Sequence, residues 1–392
     1  MLTMLRTVRV CLACTACALM MPMAHAGMFG CNPAHSGVCS TNGLDAGRLN
    51  AEKPVLIPDA WTFATGRLNR SSPTVAHGKV YVGSADGNLY ALRSTDGQPA
   101  WHVATGGELT SSPATDDKTV YVTGGDGTVR AIDAATGAAR WTFATGEPLP
   151  PPYNGWDFYA SSPVVADGVV YTGSADGHVY ALDATNGKPL WSFLTEARVR
   201  ATPAVADGVV YAGSMDGRLY ALDAGTGKPR WTFKTAGNQD FPLGEVQSSP
   251  AVVDGTVYFG SRDGFLYALD ARTGTRRWAF DNHGSWVISS PAVDNDTVYF
   301  GTSDAHTVLA LDAQTGQTRW SFDARGRVFS SPVLVNGVLY IGLCDGALVA
   351  LDQHTGKLLG FVATEGTIYS SPAVSDGNVY FASDDGFIHA AR

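Results

Sequence analysis

Charge is scarce in this sequence. Asp, Glu, Lys and Arg make up 16 % of its 392 residues, against roughly 25 % in ordinary soluble domains. Lys and Arg number 27 against 36 for Asp and Glu, a formal net charge of -9, and the basic residues form no cluster. A nucleic-acid binder would carry a basic stripe, so that class is excluded. Adjacent cysteines, Cys-x-x-Cys-His, His-x-x-x-His, Gly-x-Ser-x-Gly and a P-loop are all missing. The common signatures of haem attachment, zinc hydrolysis, serine hydrolysis and nucleotide binding are therefore absent. No stretch after the N-terminal segment approaches the ~18 apolar residues of a membrane span.

That N-terminal segment holds Arg6 and Arg9, an apolar stretch from Val10 to Met23, and Ala24-His25-Ala26 before Gly27. The arrangement reads as a secretory signal peptide over residues 1–26. The mature balance is then 27 - 2 = 25 basic against 36 acidic, or -11. Cys11, Cys14 and Cys17 leave with the signal, which removes their Cys-x-x-Cys-x-x-Cys pattern as a metal site. In an oxidising compartment Cys31 and Cys39 suit a small disulfide loop in an N-terminal tail spanning 27–57. The alternative is a lipid anchor on Cys31 after Met28-Phe29-Gly30, for which Phe29 is a poor fit. Cys344 is an odd thiol in a turn, with no His or acid recognisably paired to it.

Glycine is plentiful, at 45 residues, and a repeat explains why. Ser-Ser-Pro or a variant recurs with its Pro at 73, 113, 163, 203, 250, 291, 332 and 372, which makes eight units with spacings of 40 to 50 residues. Each unit continues with Val-Tyr or Leu-Tyr, and an Asp follows the Tyr by five residues; Gly comes next in every unit except at Ala305. Each unit reads as four short antiparallel strands, with Asp-Gly at two hairpin turns whose central positions call for positive φ. Four strands every 40 or so residues specify a propeller blade. The last unit stops after three strands, while Trp61-Thr62-Phe63 is a fourth strand without a preceding three. Pairing the two closes the ring and hides its edge. The expectation is an all-β, eight-bladed propeller over 58–392, monomeric, with Trp61 on the closing strand.

Five units carry Ala-x-Asp-x3-Gly-x3-Trp in full, ending at Trp141, Trp191, Trp231, Trp278 and Trp320. The first unit has Arg93 for Asp but keeps Trp101, and the seventh has Gly360 where Trp is due. This motif resembles the tryptophan-docking motif of the PQQ-repeat (quinoprotein-like) propeller family, which includes BamB-type outer-membrane assembly proteins. The resemblance covers nearly the whole mature chain. It implies that Trp61, Trp101, Trp141, Trp191, Trp231, Trp278 and Trp320 dock outer strands on neighbouring blades. It also implies two functional classes. One is dehydrogenases carrying pyrroloquinoline quinone (PQQ) and Ca2+ in the funnel, which are typically longer and carry paired cysteines. The other is catalytically silent, periplasmic binding scaffolds.

Where the repeat is interrupted, function has room. Insertions fall at 147–158, rich in Pro, and near 236–246; Trp156 and Trp286 lie on blade connections without a docking role. The residues upstream of each Ser-Ser-Pro vary most, which makes Arg70, Glu108, Arg198, Arg200, Glu245, Gln247, Trp286 and Arg327 funnel candidates, with Tyr153, Trp156, Asp157 and Asp240 on the insertions. Arg beside Trp suits an anionic planar ligand such as PQQ. Glu245 with Asp240 or Asp157 offers oxygens to Ca2+. Tyr153, Trp156 and Trp286 also suit a carbohydrate. The sequence favours an exported binding or assembly scaffold with envelope protein partners or a small anionic ligand. A PQQ- and Ca2+-dependent dehydrogenase acting on an alcohol or sugar is the alternative.

Overall fold

The computed structural model describes residues 32–37, 55–148 and 160–392. The expected signal segment, Cys31, Cys39, Tyr153, Trp156 and Asp157 lie outside these residues. The described residues form eight antiparallel blades around a central channel, without helices. The third blade shows the pattern, with strands Val164–Ala166, Val169–Gly173, His178–Asp183 and Pro189–Leu194 running from the axis outward. Val and Tyr on the middle strands pack on both faces, as blades covered on two sides require. Closure is as expected: Asp59–Ala64 pairs antiparallel with Phe387–Ala391 and completes the eighth blade.

The two Asp-Gly turns differ in mechanism. At the first, Asp167 (φ 49°) and Gly168 (φ 76°) both take positive φ, as a two-residue hairpin of this type needs. At the second only the glycine does, for example Gly177 at 88°. The expectation of two positive φ values there is corrected. The Asp works through its side chain instead: Asp176 Oδ1 accepts the His178 N–H at 2.9 Å, and Oδ2 accepts the Tyr180 hydroxyl at 2.6 Å. In the sixth blade, where Ala305 replaces Gly, His306 takes the positive φ at 54°.

Blades are joined by a repeated contact. The Trp101 indole N–H of the first blade donates to the Ala134 carbonyl of the second at 3.2 Å, and the Tyr81 hydroxyl donates to the same oxygen at 3.3 Å. All seven outer-strand Trp make such a bond, from Trp61 to Ser94 round to Trp320 to Gln353. The motif glycine lies flat on the Trp of the preceding blade. A Cβ at Gly187 would sit 2.5 Å from the Trp141 ring, and its φ of 71° independently favours glycine.

The seventh blade explains its own exception. Val55–Leu56 lies parallel to its outer strand, pairing Val55 with Gly360, and makes a fifth strand. A Cβ at Gly360 would meet the Val55 carbonyl at 3.0 Å and the Ile57 side chain at 3.2 Å. Buried Ile57 occupies the space a docking Trp fills elsewhere.

Residues 32–37, expected as part of a tail, instead cross the channel. The carbonyls of Pro33, Ala34, Ser36 and Gly37 accept the N–H groups of Val205, Val252, Val293 and Leu334 at 2.7 to 2.9 Å. These donors are the middle residues of the inner strands of blades four to seven. Each lies three residues beyond its Ser-Ser-Pro hydroxyl, about 10 Å farther down the channel. Asn32 folds the segment on itself, donating to Ser36 Oγ at 2.6 Å and accepting the Ser36 N–H at 3.2 Å. Burial lowers the His35 imidazole to about 4, only partly offset by the Pro250 carbonyl, so the ring is neutral near pH 7.

Two outcomes follow from these contacts. Trp191→Ala is expected to cost about 3–5 kcal/mol through the lost packing, whereas Trp191→Phe, which loses the N–H donor and part of the packed ring, costs less, about 1–2 kcal/mol; denaturant titration distinguishes them. His35 titrates near 6.5 when unfolded and about 4 when folded. The unfolded chain therefore binds the extra proton, and stability falls as pH drops from 6.5 toward 4, by up to about 3 kcal/mol. Replacing His35 with Gln removes that share of the pH dependence in thermal unfolding.

Candidate funnel site

Each Ser-Ser-Pro places three successive groups at the axis. The first hydroxyl ties the inner strand to its neighbour, as where Ser71 Oγ accepts the Gly83 N–H at 3.0 Å. The second hydroxyl reaches the preceding blade: Ser112 Oγ accepts the Ser72 N–H at 3.1 Å, and Ser162 Oγ accepts the Ser112 N–H at 2.8 Å. The relay continues through Thr202, Ser249, Ser290, Ser331 and Ser371, and returns where Ser72 Oγ accepts the Ser371 N–H at 2.9 Å. The result is a closed ring of inter-blade hydrogen bonds around the channel. The residue before each Ser-Ser pair stands above this ring and lines a small open cavity of about 80 Å³.

The cavity is asymmetric. Ile288, Phe329 and Tyr369 from blades six to eight form an apolar wall, with the Phe329 and Tyr369 rings nearly parallel at 8°. Arg70, Thr110, Arg200 and Gln247 make the polar side. The Arg70 guanidinium lies 4.6 Å from the Tyr369 ring centre and pairs with Asp384, whose Oδ2 accepts from Nη2 at 2.9 Å and from Nε at 3.2 Å. The pair is mostly shielded, with side-chain exposures of 20 % and 14 %, so it is stronger than a surface ion pair.

A second cluster sits in the fifth blade. Arg262 is buried and donates from Nε and Nη2 to Gln247 Oε1 at 3.1 and 2.6 Å. Its guanidinium lies 5.2 Å from the Trp286 ring centre and 6.0 Å from that of Phe241, and those two rings meet edge to face at 4.7 Å. Guanidinium over indole is a favourable cation–π arrangement.

Of the residues anticipated for the funnel, Arg70, Arg200 and Gln247 line the cavity together. Trp286 stands behind Gln247 through Arg262. Arg198 is half-buried one alternation back from Arg200. Glu108 is on the exposed rim, 3.6 Å from Arg67, and Arg327 is on the rim beside Asp304 at 3.4 Å. Glu245 is fully buried while Asp240 is exposed on the loop. Among the described residues no group of three or more His, Cys, Asp or Glu side chains is placed to hold a metal ion. Burial pushes the Cys344 thiol up to about 12, so it remains protonated and is no nucleophile.

Arg262, Asp384 and Phe241 were not singled out from the sequence. Arg262 and Asp384 occupy the position before the second-turn Asp, where the first three units have Ala85, Gly125 and Ala175. Departure from a small residue in that column was the available signal. That Asp384 belongs with Arg70, 314 residues earlier, follows only from ring closure.

Residues 58–154 match the family described as outer membrane protein assembly factor BamB, and residues 160–392 match that described as beta-alanine-activating enzyme, beta-propeller. No curated protein sequence matches the chain. Among solved structures, BamB from Moraxella catarrhalis is 22 % identical with a TM-score of 0.70, over 86 % of this chain and 98 % of that one. A europium-containing methanol dehydrogenase is 17 % identical with a TM-score of 0.76, over 92 % and 91 %. Quinohemoprotein alcohol dehydrogenase ADHIIG from Pseudomonas putida HK5 is 15 % identical with a TM-score of 0.74, over 93 % and 79 %. At these identities the likeness is one of fold.

The Arg70–Asp384 pair is open to a double-mutant cycle using Arg70→Met and Asp384→Asn. A coupling of about 1–3 kcal/mol in urea unfolding is expected for so shielded a pair; a value near zero would mean the pair is solvated in solution.

Proposed function

Taking as premise that the chain belongs to the PQQ-repeat β-propeller family, we propose that it is an exported, non-catalytic binding scaffold of the cell envelope. Its working surface is the funnel face. The observation that carries this reading is the fixing of two guanidinium groups near the axis by internal partners. Arg70 is clamped by Asp384, and the buried Arg262 is held by the Gln247 amide oxygen. Such pairs rigidify a recognition surface and give it a fixed pattern of charge. The family match to an outer membrane assembly factor over 58–154 supports protein partners in the envelope. No helix among the described residues is long and apolar enough to cross a membrane.

A second reading, a PQQ-dependent dehydrogenase, draws on the Tyr369 and Phe329 rings beside Arg70 and Arg200 and on the quinoprotein neighbours. PQQ is a planar tricarboxylate, and those groups are the ones that would face its rings and carboxylates. Bound there with Ca2+, it would supply two-electron oxidation of an alcohol or sugar.

Titration of the purified mature chain with PQQ and Ca2+ separates the two. The scaffold reading expects no Ca2+-dependent quinone binding, no reduction of an artificial electron acceptor by alcohols or sugars, and co-purification with outer-membrane assembly partners. Dye reduction by the reconstituted protein would sink it.

A further inference from the structure

We propose that the floor of the funnel is a site for one oxyanion, a carboxylate or phosphate group, held on the propeller axis by the Ser and Thr hydroxyl ring. A hydroxyl has one proton to donate and two lone pairs with which to accept. In the ring, every hydroxyl spends a lone pair on the backbone N–H of the preceding blade, as Ser112 does for Ser72 and Ser331 does for Ser290. None of the eight donates its proton to any acceptor among the described residues. The ring thus turns eight unspent O–H donors toward the cavity it lines, and each N–H that ends on an oxygen polarises the O–H beyond it.

A group with several acceptor lone pairs can take several of these protons at once, and an oxyanion is such a group. Charge points the same way, because Arg200 lines the same cavity. Residues 32–37 cross the channel beneath the ring, so the ligand enters and leaves through the funnel mouth. The apolar wall of Ile288, Phe329 and Tyr369 accommodates whatever the anionic group is attached to. The site is independent of the choice between scaffold and dehydrogenase, since it needs neither a partner protein nor a quinone.

Calorimetric titration of the mature protein at constant ionic strength tests this, using acetate, inorganic phosphate, a tripeptide with a free C-terminus, the same tripeptide amidated, and chloride as control. Saturable one-to-one binding of an oxyanion and not of chloride is expected. It should weaken by about tenfold or more in Arg200→Gln, which leaves the ring intact, and in Ser112→Ala/Ser331→Ala, which removes two donors. Binding of acetate or phosphate assigns the site to a free small anion. Binding of the free tripeptide alone, and not its amide, assigns it to a peptide C-terminus. If no oxyanion binds, or if Arg200→Gln with a native circular dichroism spectrum binds as the parent does, the proposal is overturned.

Discussion

The structure hangs on a circle of eight hydrogen bonds at the axis, in which the second hydroxyl of each Ser-Ser-Pro accepts the backbone N–H of the blade before it. Each contributes about 0.5–1.5 kcal/mol. Their geometric effect is larger, because they fix the inner strands at equal spacing and so determine where every residue above them stands. Thr202 can substitute for Ser in the circle because only the hydroxyl is used. The outer perimeter has its own constraint, the carbonyl that receives both a Trp indole and a Tyr hydroxyl, as Ala134 does from Trp101 and Tyr81. Between the two rings of contacts, blades cannot slide or tilt independently.

Much of this was legible in the sequence, since identical contacts leave identical residues at a fixed period. The Ser-Ser-Pro and Trp spacings delivered blade count, strand order and the closing strand at Trp61. Other features were hidden for physical reasons. The role of Asp176 as an acceptor for Tyr180, rather than as a positive-φ residue, depends on side-chain direction and not on turn propensity. Gly360 stands in the sequence only as a missing Trp, and the Val55–Leu56 strand with Ile57 beside it shows that the vacancy is filled from elsewhere in the chain.

The funnel was harder still. Candidates were found by departure from the repeat, which located Arg70, Arg200 and Gln247 in one cavity but could not say what each one faces. Asp384 meets Arg70 across the closure, and Arg262 reaches Gln247 from a different turn. A repeat makes position predictable and leaves pairing to the particular residues at each blade. The low overall charge sharpens the effect, because the few ionic groups near the axis are arranged against one another in a shielded space, where such pairs carry weight.

The plug of residues 32–37 has a consequence for the order of assembly. Its carbonyls pair with blades four, five, six and seven in succession, so its docking surface does not exist until residues up to Leu334 have folded. The closing strand Asp59–Ala64 waits longer, for Phe387–Ala391. During synthesis from the N-terminus, the segments made early are therefore the last to be seated. Vectorial growth leaves both without a home until most of the chain is made, and docking of the closing strand reports that the eighth blade is in place.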